Sequence, residues 1–151
     1  MSILRNDWVC LAFRVFLGVL FIYASLDKIV NPGGFARIMN NYHVLPGSLV
    51  NITAIFLPWL ELLVGAALIL GTKTEGASAI VAGMLVVFII AAIISMARGL
   101  NIECGCFSTT SRVRKVGMTL FYEDAALLLA TLYVMINGAG RWALDRRPAR
   151  R

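Results

Sequence analysis

Two cysteines in a short polar stretch are the residues whose chemistry is easiest to specify. Cys104 and Cys106 are separated only by Gly105. A disulfide needs Cα atoms roughly 4.4–6.8 Å apart, which residues two positions apart reach only in a tight bend. Glycine permits such a bend because it tolerates positive φ. The closed ring would be strained, and strained disulfides are the easily reduced ones, so the spacing favours a thiol–disulfide redox pair.

Other interpretations of these cysteines stay open. They could be small packing residues or thiols without a chemical task. A structural metal site requires about four ligands. Cys104, Cys106, His43 and a carboxylate are the only candidates, and we predict no metal on that count. The third cysteine, Cys10, falls at the opposite end of the molecule and is expected to be a packing residue.

Four ionisable residues fall within otherwise apolar stretches, where a charge is costly unless it is paired or hydrated. They are Arg14, Glu61, Glu123 and Asp124. Arg14 and Glu61 have similar depths when counted from the ends of their helices, so we expect a structural ion pair between them. Glu123 and Asp124 are adjacent and point about 100° apart on a helix, so one of them would face the bundle centre. That carboxyl group would exchange protons during thiol chemistry, pair with a basic residue of the preceding loop, or stay uncharged because it is buried.

The composition indicates that these residues belong to a membrane protein. Of the 151 residues, 60% are hydrophobic and 15% are charged, and the mean hydropathy is +0.82. Soluble domains are typically about 45–50% apolar and about 25% charged. The net charge of +6 comes from basic residues at helix ends and in the C-terminal tail. In those places positive charge sets membrane topology, so we predict no nucleic-acid partner.

Four windows are long enough to cross a lipid bilayer, which takes about 20 mainly apolar residues in a helix. They cover residues 8–26, 49–70, 77–97 and 118–136. Between the first two windows, turn signals bracket a set of apolar residues at helical spacing. This set contains Phe35, Ile38, Met39 and Tyr42. It predicts a short amphipathic helix on the membrane surface.

The predicted fold is therefore an all-α membrane protein, a four-transmembrane-helix bundle with that surface helix between its first two spans. We expect a single domain over residues 1–140 and a basic tail over residues 141–151. Lys and Arg residues are nearly balanced between the two sides, and the arginine-rich tail favours both termini in the cytoplasm. The chain would then be a multi-pass protein of the cell inner membrane, with the cysteine pair outside the cytoplasm.

Four features together resemble a known family. They are Tyr23-Ala24-Ser25-Leu26-Asp27-Lys28-Ile29 with Asn31-Pro32-Gly33-Gly34-Phe35 after it, Tyr42-His43-Val44-Leu45-Pro46, Glu61, and Glu103-Cys104-Gly105-Cys106-Phe107 followed by Asp124. In these features the chain resembles the DoxX-like membrane proteins, specifically the branch of the methylamine-utilisation protein MauE. The resemblance implies a four-helix membrane protein associated with redox processes and working beside a thioredoxin-like partner. It also implies that Cys104 and Cys106 form the redox pair.

These observations predict a membrane thiol–disulfide redox protein that exchanges disulfides with an extracytoplasmic thioredoxin-like protein. No residue demands a cofactor, although an apolar quinone held between the helices would suit the bundle interior. The alternative is a non-catalytic accessory subunit of a larger membrane complex, whose helices pack through small residues. A carrier of a small hydrophobic solute is a third hypothesis, weakened by the short chain.

Overall fold

The computed structural model describes residues 7–42, 46–99, 118–138 and 143–144. Within these ranges the secondary structure consists of five helices, which confirms the all-α class. They are α1 (Asp7–Val30), α2 (Pro32–Asn41), α3 (Gly47–Leu70), α4 (Thr74–Ala97) and α5 (Met118–Asn137). The short helix predicted between the first two long ones is α2.

Three helices of the described ranges, α1, α3 and α4, are long and apolar enough to cross a membrane. Each has 24 residues. Such a helix is about 36 Å long, against a hydrocarbon core of about 30 Å. Large apolar side chains, such as Phe56, Leu63 and Val87, are more than 60% exposed on their outer faces, as lipid contact requires. The fourth predicted window is occupied by α5, which is not one of these three helices.

Within the described residues, the most extensive helix contact is between α1 and α3, where Gly18 meets Gly65. A Cβ atom placed on Gly18 would lie 2.8 Å from the carbonyl oxygen of Gly65, and one on Gly65 would lie 2.9 Å from that of Gly18. The same atoms approach Ile69 and Ile22 respectively, so the two helices run antiparallel. Backbones can approach this closely only where small residues line the contact. The contact between Gly18 and Gly65 therefore determines which residues of α1 lie opposite which residues of α3.

The four long helices share one apolar core. Leu17, Leu68, Val81 and Val134 contribute to it from α1, α3, α4 and α5, and each is fully buried. A left-handed residue, Gly71 with φ of 68°, ends α3 and allows the tight connection to α4. The bundle therefore carries α3 and α4 as neighbours and returns α5 against α4 and α1.

Helix α2 packs against α3 through an apolar face. Phe35 and Ile38 are buried on that face. Their spacing predicted a shared apolar face but assigned it to the membrane surface. The start of α2 is fixed by Pro32 and by Asn31. The Asn31 side chain accepts a hydrogen bond of 3.0 Å from the backbone N–H of Gly34. A proline in the first turn is favourable because its missing N–H would have no partner there. α2 thus brings Phe35 at one end and Tyr42 at the other to the end of the bundle where α1 finishes.

Candidate functional site

A buried ion pair links α1 to α3. The Nζ atom of Lys28 lies 2.7 Å from Oε1 and 2.8 Å from Oε2 of Glu61. The two side chains are 1% and 2% exposed. The ring centroids of Phe35 and Phe88 lie 5.1 and 5.7 Å from the same Nζ atom, so α2 and α4 enclose the cation. The pair neutralises two charges that would otherwise be costly inside an apolar bundle.

This geometry corrects the predicted ion pair between Arg14 and Glu61, because the partner that Glu61 holds is Lys28. Arg14 lies near the other end of α3, where its Nη1 atom would be 2.8 Å from a Cβ atom on Gly71. Gly71 is ten residues beyond Glu61, which is about 15 Å along a helix. The prediction ended the first span at residue 26 and so treated Lys28 as part of a loop. α1 continues to Val30 instead, and this places Lys28 within reach of Glu61.

Of the two adjacent carboxylates on α5, Asp124 is the one that faces inward. It is 2% exposed, whereas Glu123 is only half-buried. The Oδ2 atom of Asp124 is buried and has no hydrogen-bond partner among the residues that the structure describes. An unsatisfied buried polar atom costs about 1–3 kcal/mol, and more when the group is charged. Asp124 is therefore a buried acid, and one of its oxygen atoms is not hydrogen-bonded to any part of the chain that the structure describes.

Tyr42 follows the last residue of α2, and its phenol is within electrostatic range of this acid. Burial, together with the nearby Asp124 carboxylate, raises the pKa of the Tyr42 phenol to about 12. The phenol therefore remains protonated at neutral pH and can donate a hydrogen bond. Sequence reasoning assigned Tyr42 to membrane anchoring. Its electrostatic interaction with Asp124 could not be found from the sequence because more than eighty residues separate the two positions along the chain.

The predicted redox pair, Cys104 and Cys106, lies outside the described residues and stays a prediction. The connection that contains both cysteines leaves α4 after Ala97 and enters α5 at Met118. Asp124 follows Met118 by six residues, or about 9 Å along the helix. The buried acid is thus within two turns of the place where this connection joins the bundle.

Cys10 lies near the opposite end of the bundle. It is 2% exposed, and its thiol donates a hydrogen bond to the carbonyl oxygen of Gly138, with Sγ 2.9 Å from that atom. The contact joins the first turn of α1 to the end of α5. Cys10 is therefore a buried packing residue, as expected, and is far from the connection between α4 and α5.

Comparison with known proteins identifies relatives along most of the chain. The profile of the family described as methylamine utilisation protein MauE matches residues 6–137, which include all five helices and the connection with both cysteines. The MauE protein of Methylorubrum extorquens is 33% identical over 150 residues, which are 99% of this chain and 77% of the relative. That of Methylophilus methylotrophus is 29% identical over 134 residues, 88% of this chain and 70% of the relative. The MauE protein of Paracoccus denitrificans is 35% identical over 105 residues, which are 69% of this chain and 56% of the relative. No solved structure matches the chain.

Proposed function

Because the chain belongs to the MauE family, we propose that it is an accessory protein of methylamine utilisation that exchanges disulfides through Cys104 and Cys106. Its relatives carry methylamine utilisation in their names. The family match confirms the MauE branch of the resemblance, whereas the wider DoxX-like grouping stays a prediction. The cysteine spacing supplies the proposed chemistry, and the helix bundle supplies its position at a membrane.

In this proposal α5 is a fourth span beside α1, α3 and α4. Its 20 residues amount to about 30 Å, enough to cross the hydrocarbon core. Its buried acid, Asp124, points into the bundle, where a polar group in a membrane helix is best tolerated. With four spans, both termini lie on the same side. The arginine-rich tail favours the cytoplasmic side of the inner membrane, which leaves the α4–α5 connection outside.

The exchange begins when a thiolate of a thioredoxin-like partner attacks one sulfur of a Cys104–Cys106 disulfide. The S–S bond breaks, a mixed disulfide forms, and the second cysteine leaves as a thiolate. The partner's other thiolate then attacks the mixed disulfide. This step leaves an oxidised partner and a reduced Cys104–Cys106 pair, and the reverse sequence of steps oxidises that pair. Two protons must be taken up by the two released thiolates.

Asp124 is the proposed proton carrier for these thiols. The observation that supports this role is its burial within two turns of the start of α5, with an Oδ2 atom that no described residue hydrogen-bonds. A carboxyl group in that position can give a proton to a leaving thiolate and later take one back. Glu123, the other candidate, is only half-buried.

The experiment that tests the exchange is capture of the mixed disulfide. A Cys106→Ala variant keeps one thiol and cannot close the internal disulfide, so it should accumulate a covalent adduct with a thioredoxin-like protein. The adduct should disappear with reductant and be absent from a Cys104→Ala/Cys106→Ala variant. Cys10→Ala is the matched control and should behave as wild type, because Cys10 is buried at the other end of the bundle. If no adduct forms and the double variant still supports methylamine utilisation, the protein is a non-catalytic subunit.

A further inference from the structure

Two acids are buried in the bundle, and their surroundings differ. Both oxygens of Glu61 accept hydrogen bonds from Lys28. Asp124 is buried to the same degree, yet its Oδ2 atom has no partner within the described part of the chain. A structural charge would be expected to resemble Glu61, with its hydrogen bonds already made. Among the described residues, the open position on Asp124 instead leaves room for a donor or acceptor supplied by a ligand.

The surroundings of Asp124 indicate the kind of molecule. Tyr42, at the C-terminal cap of α2, adds a phenol within electrostatic range of the acid, and a phenol can donate or accept a hydrogen bond. Phe121 lies one turn before Asp124 on α5, and residues three apart are neighbours on a helix surface. Two exchangeable polar groups beside aromatic rings suit a flat, apolar ring that carries oxygen atoms.

We propose that Asp124 and Tyr42 bind the head group of a lipid-soluble quinone. The inference rests on the proposed function for the source of the electrons: one dithiol and one quinone give one disulfide and one hydroquinone. Two electrons and two protons leave the thiols of Cys104 and Cys106 and reach the quinone oxygens. A protonated Asp124 donates to a quinone carbonyl, and the ionised form accepts from a hydroquinone hydroxyl. One residue thus serves both forms of the ligand.

The Lys28–Glu61 pair is not this site. Two of the three donors of the Lys28 ammonium are committed to Glu61, and the rings of Phe35 and Phe88 flank the cation. Both side chains are already satisfied and closed off from solvent. The pair holds α1 against α3, whereas the Oδ2 atom of Asp124 is hydrogen-bonded to none of the described residues.

The test is binding of decylubiquinone to the full-length protein in detergent micelles, followed by two measurements. Infrared difference spectra report whether a quinone carbonyl accepts a hydrogen bond, since its stretching frequency then falls. Quenching of intrinsic tryptophan fluorescence gives the dissociation constant. We expect a lowered carbonyl band in the wild type. In Asp124→Ala the carbonyl band should no longer be lowered. Binding should also be weaker by roughly tenfold, which is the effect of one missing hydrogen bond.

Tyr42→Phe removes a single hydroxyl group, so it should weaken binding and alter the band even if Asp124→Ala fails to fold. Glu75→Gln is the matched control. Glu75 is an exposed acid in the first turn of α4, at the other end of the bundle, and its replacement should change neither measurement. An unshifted carbonyl band in the wild type, or equal affinity in the wild type and Tyr42→Phe, would overturn the proposal.

The same titration with Cys104→Ala/Cys106→Ala separates this inference from the disulfide proposal. Binding needs no thiol, so the double variant should bind decylubiquinone as the wild type does. If quinone binding is retained but no mixed disulfide is captured, the quinone site is supported and the disulfide exchange is contradicted. If no quinone binds but a mixed disulfide is captured, the quinone site is contradicted and the disulfide exchange is supported.

Discussion

The ammonium group of Lys28 lies 2.7 and 2.8 Å from the two carboxylate oxygens of Glu61, in a place where neither side chain is more than 2% exposed. Removing one member of a buried pair leaves the other charge without compensation, which typically costs about 3–5 kcal/mol. Replacing both members with apolar residues is often neutral. The pair therefore fixes how α1 packs on α3, without necessarily adding net stability.

Lys28→Met should accordingly destabilise the protein by about 3–5 kcal/mol, and Lys28→Met/Glu61→Leu should recover most of that loss. Unfolding of the purified protein in mixed micelles, followed by circular dichroism, measures both. The corresponding cycle with Arg14→Met and Glu61→Leu is the control and should show little coupling, since Arg14 lies near Gly71. Strong coupling of Glu61 to Arg14 and none to Lys28 would reverse the assignment.

Close approach of α1 to α3 predicts a steric effect at Gly18. Gly18→Ala puts a methyl group 2.8 Å from the carbonyl oxygen of Gly65, so the helices must separate. Overpacking of this kind typically costs about 1–3 kcal/mol. Gly83→Ala is the matched control, because a Cβ atom on Gly83 in α4 meets nothing within 4 Å. The same unfolding measurement should show a neutral or slightly stabilising effect for Gly83→Ala, and equal effects of the two changes would contradict the close contact.

The proposed fourth span predicts which sites an impermeant thiol reagent can reach in intact cells. In a cysteine-free background, Asn41→Cys and Arg98→Cys should be labelled from outside, since both positions are exposed near the outer end. Lys73→Cys and Arg151→Cys should be labelled only after the cells are opened. If α5 does not cross the membrane, Arg151→Cys will instead be labelled together with Arg98→Cys.

A proton-carrying role for Asp124 predicts different effects for the two adjacent acids. Asp124→Asn keeps the size of the side chain and removes its exchangeable proton, so disulfide exchange should slow by at least roughly tenfold, given that general acid–base catalysis contributes about 10²–10⁴-fold. Glu123→Gln should remain within about twofold of wild type because Glu123 is less buried. Stopped-flow measurement of exchange with a reduced thioredoxin-like protein tests both. Slow disulfide exchange in Glu123→Gln together with a normal rate in Asp124→Asn would assign the proton-carrying role to Glu123 instead.

Much of the fold followed from apolar run length, because hydrophobic windows and turn residues are local signals. The positions of α2, α3 and α4 were predicted within a few residues. The end of α1 was not, because Asp27 and Lys28 look like loop residues until Glu61 is known to neutralise the lysine. That single boundary error produced the wrong partner for Glu61.

The site residues were predictable only where their type alone is informative. Asp124 stands out as an acid in an apolar helix, and the structure adds which of the two adjacent acids is buried. Tyr42 carries no such signal, since an aromatic residue at the end of an amphipathic helix is ordinary. Its role depends on the packing of α2 over the bundle, which is a long-range property of the fold.

A reducible disulfide between Cys104 and Cys106 at the outer end of the bundle can be detected by alkylation followed by mass spectrometry. Intact cells are treated with an impermeant maleimide before and after an impermeant reductant, and the peptide that contains both cysteines is weighed. We predict no label and a mass two hydrogens below the dithiol before reduction, and two labels after it. Two labels without reductant would show that the two cysteines do not form a disulfide. Labelling only after the cells are opened would show that they do not lie at the outer end of the bundle.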